Sequence, residues 1–192
     1  MITYPIGNSA QRLIFSKGVV EHFISHQQRR RWQREAGGQL FARFDGNEII
    51  VEDCTGPRRS DRRTRNAFRP DRRAERQEIE ERFEQGLHFI GDWHTHPEDY
   101  PQPSSLDLHS VSEMFVKSNH ALNGFVLVIV GRKELPTGML VLIVNQQNEV
   151  KLTNLELSPT DSDARPCTAQ SAIRRSDTVP PKATSITPTM DA

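Results

Sequence analysis

The stretch GDWHTHPEDYPQPSSLDLHS, residues 91–110, sets two histidines two positions apart and follows them with a proline. Seven positions on comes Ser104, with Asp107 behind it. In a strand, residues two apart point to the same face, so the imidazoles of His94 and His96 can reach one ion. Asp107 falls in the first turn of the next helix, and the intervening loop can fold back to bring it near. Two nitrogens and one oxygen make three ligands. A tetrahedral zinc ion with three protein ligands keeps its last corner open for water, the mark of a catalytic site. Zinc lowers the pKa of that water to about 7, so hydrolysis is the natural chemistry. Two plainer readings compete. SSLD ahead of apolar residues is also a capping-box-like helix start, and a His-x-His pair by itself is weak evidence for metal. A strand end, a proline-terminated turn and a capped helix that together carry all four residues are a far more specific combination.

Working outward, LHFIGDWH (87–94) reads as a strand that Pro97 ends, followed by a proline-rich loop over 97–103. A helix is expected from near Ser104 to about Asn119, burying Leu108, Val111, Phe115 and Met114. GFVLVIVG (124–131) and GMLVLIVN (138–145) are continuous apolar runs, the pattern of central strands covered on both faces. VKLTNLEL (150–157) reads as an edge strand. Upstream, Arg12–Phe15 is a short strand, and Ser16 caps a helix over about 17–34 that Gly37-Gly38 stops. Trp32 and Phe23 are assigned to the core. QLFARF (39–44) and EIIVEDC (48–54), split by Asp45-Gly46-Asn47, form a hairpin. Residues 58–76 hold nine arginines and three acids, first as a loop and then as a helix over Asp71–Gln85 with Ile79 and Phe83 on its apolar side. The expected architecture is α/β (α+β): one mixed sheet flanked by helices, in a single domain over 1–157. Residues 158–192, rich in Pro, Ser and Thr, are expected to be disordered.

Twenty-five basic and 25 acidic side chains give zero formal net charge, which argues against a nucleic-acid partner. No apolar run approaches the ~20 residues of a membrane span, and the N-terminus has no basic lead with an apolar block behind it. Two cysteines, Cys54 and Cys167, make a disulfide framework improbable and fit a cytoplasmic protein.

A hydrolytic site also needs a proton carrier and an oxyanion donor. Glu35 is the candidate base, with Glu98 and Asp99 as alternatives close to the metal loop. Ser104, one helical turn before Asp107, is the candidate donor. His88 and His109 read as ordinary packing or surface histidines. The arginine segment offers a docking surface for a carboxylate-bearing partner. Arg62, Arg63, Arg65 and Phe68 are its candidate contacts, and Trp93 either lines the groove or packs in the core. A solvated loop, and nucleic-acid binding with thin aromatic interleaving, are the other readings of this segment.

Glu35 ahead of Ala36-Gly37-Gly38, then His94-Thr95-His96-Pro97, then Ser104-Ser105-Leu106-Asp107 resembles the JAMM motif of the MPN-domain metalloproteases. The resemblance spans most of residues 12–157. It implies a deaminase-like mixed sheet between helices and one zinc ion per chain on His94, His96 and Asp107. It also implies Glu35 as general acid/base and Ser104 as the group that steadies the tetrahedral intermediate. Family members hydrolyse bonds after the C-terminus of ubiquitin or a ubiquitin-like protein. The wider wording around the histidines, with CTGPRRSDRRTRNAFRPD upstream, is similar to a bacterial branch first labelled integrative and conjugative element proteins. That branch includes the deconjugating peptidase of CBASS antiphage operons, which frees a cGAS-like nucleotidyltransferase from its targets. Three alternatives stay open: another bacterial ubiquitin-like or sulfur-carrier system, a non-catalytic MPN scaffold, and a non-haem iron site, which two histidines and a carboxylate also suit.

Overall fold

The computed structural model describes residues 1–154. Ten strands and three helices alternate along them: β1 (Ile2–Pro5), β2 (Arg12–Phe15), α1 (Lys17–His26), β3 (Gly37–Asp45), β4 (Glu48–Cys54), β5 (Arg62–Arg63), β6 (Phe68–Arg69), α2 (Arg72–Glu84), β7 (His88–Thr95), α3 (Ser105–Lys117), β8 (Phe125–Val130), β9 (Met139–Val144) and β10 (Glu149–Lys151). Eight strands form one mixed sheet in the order β1-β2-β4-β3-β7-β8-β9-β10, and β5 with β6 makes a separate small hairpin. Pairing is antiparallel except at β2–β4 and β7–β8. The expected α/β class is the observed one.

The apolar runs at 125–130 and 139–144 are central strands, every residue buried. Their alternation feeds two cores. Val126, Val128, Val130, Val141 and Ile143 pack on one face with Val19 and Phe23 of α1. Phe125, Leu127, Ile129, Leu140 and Leu142 pack on the other with Val111 of α3. In β7, Trp93 turns toward the first face. His94, the next residue, therefore turns toward the face of α3.

Several expectations shift. Helix α1 ends at His26, not near 34, because Gln27 is extended (φ −53°, ψ 134°). The Gln27 side-chain amide donates to the carbonyls of Gly131 and Lys133, both at 2.7 Å, tying the chain down where the helix would have continued. Trp32, expected in the core, lies on the loop that follows and is 75% exposed, whereas Phe23 is fully buried. Gly37-Gly38 is not a helix stop but the start of β3. A Cβ on Gly38 would lie 1.8 Å from the Thr55 carbonyl oxygen, so only glycine allows this close strand contact. Phe83 is largely exposed rather than in the core, with its ring against His88. The segment beyond Arg58, expected as a plain loop, contains the β5–β6 hairpin, and β1 is a strand the pattern did not announce. The edge strand covers Glu149–Lys151. The domain boundary at 157 and the expectation for 158–192 lie outside the described residues.

Candidate metal centre

Strand β7 delivers the histidines. It pairs with β3 on one side, Gly37 opposite His94, and runs parallel to β8 on the other, His94 beside Ile129. The β3–β7 ladder slips between Leu40 and Phe41, and Gly91 adopts φ +145° there, with Val126 backbone where a Cβ would stand. Such a bulge re-aims the strand just before the residues of interest. The backbone N–H of His96 donates to the Val130 carbonyl at 3.0 Å, so His96 is still held in register one residue past the strand.

Helix α3 delivers Asp107. Ser104 is its N-cap, with a full capping box. The Asp107 N–H donates to Ser104 Oγ at 3.2 Å. Asp107 Oδ2 accepts from both the backbone N–H and the hydroxyl of Ser104, each at 2.7 Å. The capping reading and the metal reading are thus the same geometry: the cap holds the carboxylate in the orientation that faces the histidines. Burial raises the Asp107 carboxyl, but His94 first and the Ser104 bonds after it more than reverse this and hold it well below the usual carboxylate range.

The three groups converge. His94 Nε2 lies 3.1 Å from His96 Nε2. Asp107 Oδ1 lies 3.5 Å from His94 Nε2, and Asp107 Oδ2 lies 3.6 Å from His96 Nε2. Ligand bonds of about 2.0–2.1 Å to tetrahedral zinc place neighbouring ligands about 3.3 Å apart, and these separations are close to that spacing. Burial, then the neighbouring His94, push the pKa of His96 down, the direction that leaves a ring nitrogen free to bind metal.

Glu35 is buried beside them, and a carboxylate oxygen of it lies within 4.8 Å of a nitrogen of each histidine. That set of Glu35, His94 and His96 also has metal-binding character. Two carboxylates, Asp107 and Glu35, thus stand near the histidine pair. Burial, then the Asp107 charge, raise Glu35 to about 7 against the pull of His94 and Arg63. A dication at the histidines would draw it down again.

The arginine-rich segment fixes Glu35. Its N–H donates to the Thr64 carbonyl at 2.7 Å, and its own carbonyl accepts from Arg63 Nε at 2.6 Å. Phe68 packs against Gly37, where a Cβ would come within 2.8 Å of its ring. Arg65 donates to the Arg31 carbonyl, and Arg62 is exposed on β5. Two residues that sequence reading missed complete the support. Thr95 Oγ1 accepts from the Ala36 N–H at 2.9 Å and donates to Gln28 Oε1 at 3.0 Å. A polar side chain between the two histidines, pointing into the core, was the available signal.

Other candidates fall away. Trp93 does not line a groove. It is buried on the far face of β7, its Nε1 donates to the Thr55 carbonyl at 2.9 Å, and its ring meets Phe23 at 5.1 Å. Alternation along the strand, which turns His94 one way, turns Trp93 the other. Asp99 pairs with Arg132 at 2.9 Å, and Glu98 accepts from the Gln102 N–H. His88 stacks edge-on with Phe44 and Phe83, and His109 is exposed. Burial pushes the Cys54 thiol up to about 12, which makes it a poor nucleophile.

Residues 17–153 match the family described as prokaryotic homologs of the JAB domain. A protein named CD-NTase/cGAS isopeptidase from Vibrio cholerae is 37% identical over 125 residues, 62% of this chain and 76% of its own. One of the same name from Pseudomonas aeruginosa is 33% identical, covering 70% and 87%. One from Escherichia coli is 30% identical, covering 66% and 80%. Among solved structures, a protein from Desulfitobacterium hafniense, determined in solution, shares the fold with a TM-score of 0.54 at 20% identity, over 72% of this chain and 88% of that one. Fold, motif and relatives agree: the chain belongs to the prokaryotic branch of the JAB/MPN domain family.

Proposed function

We propose that this protein is a metal-dependent isopeptidase that releases a CD-NTase, or cGAS-like nucleotidyltransferase, from proteins to which it has been joined in a CBASS-type antiphage system. The isopeptidase reading follows from the family and from the relatives' shared name. The metal reading rests on one observation: two imidazole nitrogens and a carboxylate stand 3.1–3.6 Å apart, facing one point. One zinc ion per chain fits this donor set, held by His94, His96 and Asp107. When bound, it polarises the scissile carbonyl and makes water acidic enough to attack at neutral pH.

The chain's own residues do the rest. Glu35 takes a proton from the attacking water and passes it to the lysine or peptide amine that leaves. Burial and its two backbone tethers hold it in place for both transfers. Ser104 orients Asp107 in the resting site. Rotation of its O–H toward the substrate would serve the oxyanion, while its backbone N–H keeps hold of Asp107. The substrate tail lies extended beside the β5–β6 hairpin, in contact with Arg62, Arg63, Arg65 and Phe68. No described helix is long and apolar enough to cross a membrane, and a cytoplasmic location is part of the same reading.

The test is elemental analysis of protein purified without chelators, together with cleavage of a purified CD-NTase conjugate. The expected result is one zinc per chain and release of the intact nucleotidyltransferase. Metal-free protein that still cleaves sinks the metal reading. Zinc-loaded protein that cleaves only sulfur-carrier or ubiquitin-like fusions redirects the substrate, and zinc-loaded protein that cleaves nothing leaves a scaffold.

A further inference from the structure

The loop after α1 carries Arg29, Arg30, Arg31 and Arg34, all exposed. Across from it, the β5–β6 hairpin and the turn before it carry Arg59, Arg62, Arg65 and Arg69, exposed as well. The two segments are stitched together. Gln28 Nε2 donates to the Arg65 carbonyl at 2.8 Å, Arg65 to the Arg31 carbonyl, and Arg63 Nη2 to the Arg34 carbonyl at 3.5 Å. None of the eight is in an ion pair among the described residues; the arginines that are include Arg12, Arg43, Arg58 and Arg82. Loop 27–34 contains no acid, and the one acid in 59–69, Asp61, is buried against Arg58. In a chain of zero net charge, such a concentration of unmatched guanidinium groups creates a local positive potential that attracts an anionic partner. Trp32 stands in the same loop, 75% exposed, with the Arg30 guanidinium 5.5 Å from its ring centre. An exposed Trp among arginines is the composition of a binding hot spot.

We infer that loop 29–34 and the β5–β6 hairpin form one arginine shelf beside Glu35 that seats a carboxylate-rich stretch of the conjugated protein. The inference rests on the isopeptidase reading for the identity of its occupant. The location makes that choice. Glu35 joins the loop to β3 and hydrogen-bonds Thr64 of the hairpin, so whatever occupies the shelf lies next to the bond being cut. In an isopeptidase the material there is protein. Guanidinium forks match carboxylates two bonds at a time, which selects Asp and Glu over neutral polar side chains.

The experiment uses the zinc-loaded full chain and two labelled peptides of equal length, one alternating Glu with Gly, the other Gln with Gly. The Glu peptide should bind, weaken as salt is raised, and quench the exposed Trp32, a signal that Trp32→Phe removes. Arg31→Ala, Arg34→Ala and Arg62→Ala together should weaken it about tenfold, the worth of a few exposed ion pairs. Equal binding of the two peptides, salt-independent binding, or unchanged affinity in the triple variant overturns the inference. The wild-type salt titration decides if the triple variant does not fold. Tighter binding of single-stranded oligothymidylate overturns it in favour of nucleic acid. Failure of the isopeptidase reading shows separately, as absent cleavage of the conjugate while the Glu peptide still binds. Where cleavage occurs, a Glu peptide that binds without competing overturns the placement beside Glu35.

Discussion

Two regions deliver side chains to the same centre by different physics. Strands β8 and β9 are apolar and buried throughout, and β7 is bonded to β8, so the three form one slab. It brings His94 and His96 by strand alternation and receives Asp107 from a capped helix packed on it. The arginine segment buries little apolar surface. It is anchored by Arg58, which donates to Glu78 Oε1 at 2.7 Å and lies 3.8 and 3.9 Å from Asp61 and Glu75. It brings Glu35 by backbone tethers. His94, His96 and Asp107 therefore stand on redundant packing, and Glu35 on a few tethers. Buried side chains share their energy among many contacts, whereas a buried ionic hub fails when a single partner is removed.

The contrast can be broken from the slab side first. His96→Ala should abolish both bound zinc and cleavage while the fold survives, as read by metal stoichiometry and far-UV dichroism. Retained zinc at one per chain would shift the ligand set toward Glu35. Next comes the base: Glu35→Gln should lower turnover by ~10²–10⁴ with zinc still bound. Full turnover would remove Glu35 from the mechanism. Arg58→Met attacks the other anchor. Its side chain is 10% exposed amid three carboxylates, so its loss should destabilise the fold by about 3–5 kcal/mol in urea unfolding. A change under about 1 kcal/mol, the ordinary value of an exposed pair, would show that the hub is not an anchor.

Smaller effects sharpen the picture. Ser104→Ala removes a cap worth ~1 kcal/mol and one of the bonds that orient Asp107, so zinc affinity should fall about 10–100-fold. Zinc binding unchanged from wild type would separate the cap from the metal. Arg58 also makes the arginine segment sensitive to acid. Burial raises the Glu78 carboxyl, but the bonds and charge of Arg58 more than reverse this and hold it below its ordinary 4.5. The unfolded chain thus takes up that proton first as pH falls. The contribution is complete above about 4.5 and disappears as pH drops through the folded value. Glu78→Gln should flatten that acid limb of the stability curve, and an unaltered limb would mean that other carboxylates set it.

Legibility followed the same divide. The continuous apolar runs, the hairpin over 39–54 and the cap at Ser104 were readable because periodicity and turn chemistry are local. The expected helix over 17–34 outruns the observed one for a local reason too: RRRWQR contains nothing that forbids helix. What ended it was Gln27 finding carbonyls a hundred residues away at Gly131 and Lys133. Trp32, on the loop where that helix would have continued, therefore lies at the surface. Trp93 was ambiguous because a strand's two faces look alike until one knows which helix covers each.

The sequence by itself determined that His94 and His96 share one strand face and that Asp107 opens a capped helix, because strand alternation and a helix cap are rules of spacing that hold wherever the segment is placed; the packing of α3 on the sheet brought the three together. Only tertiary structure decided where Glu35 stands and that two arginine runs almost thirty residues apart share one surface, since Thr64, Arg63 and Gln28 reach their partners through contacts with no periodicity to read.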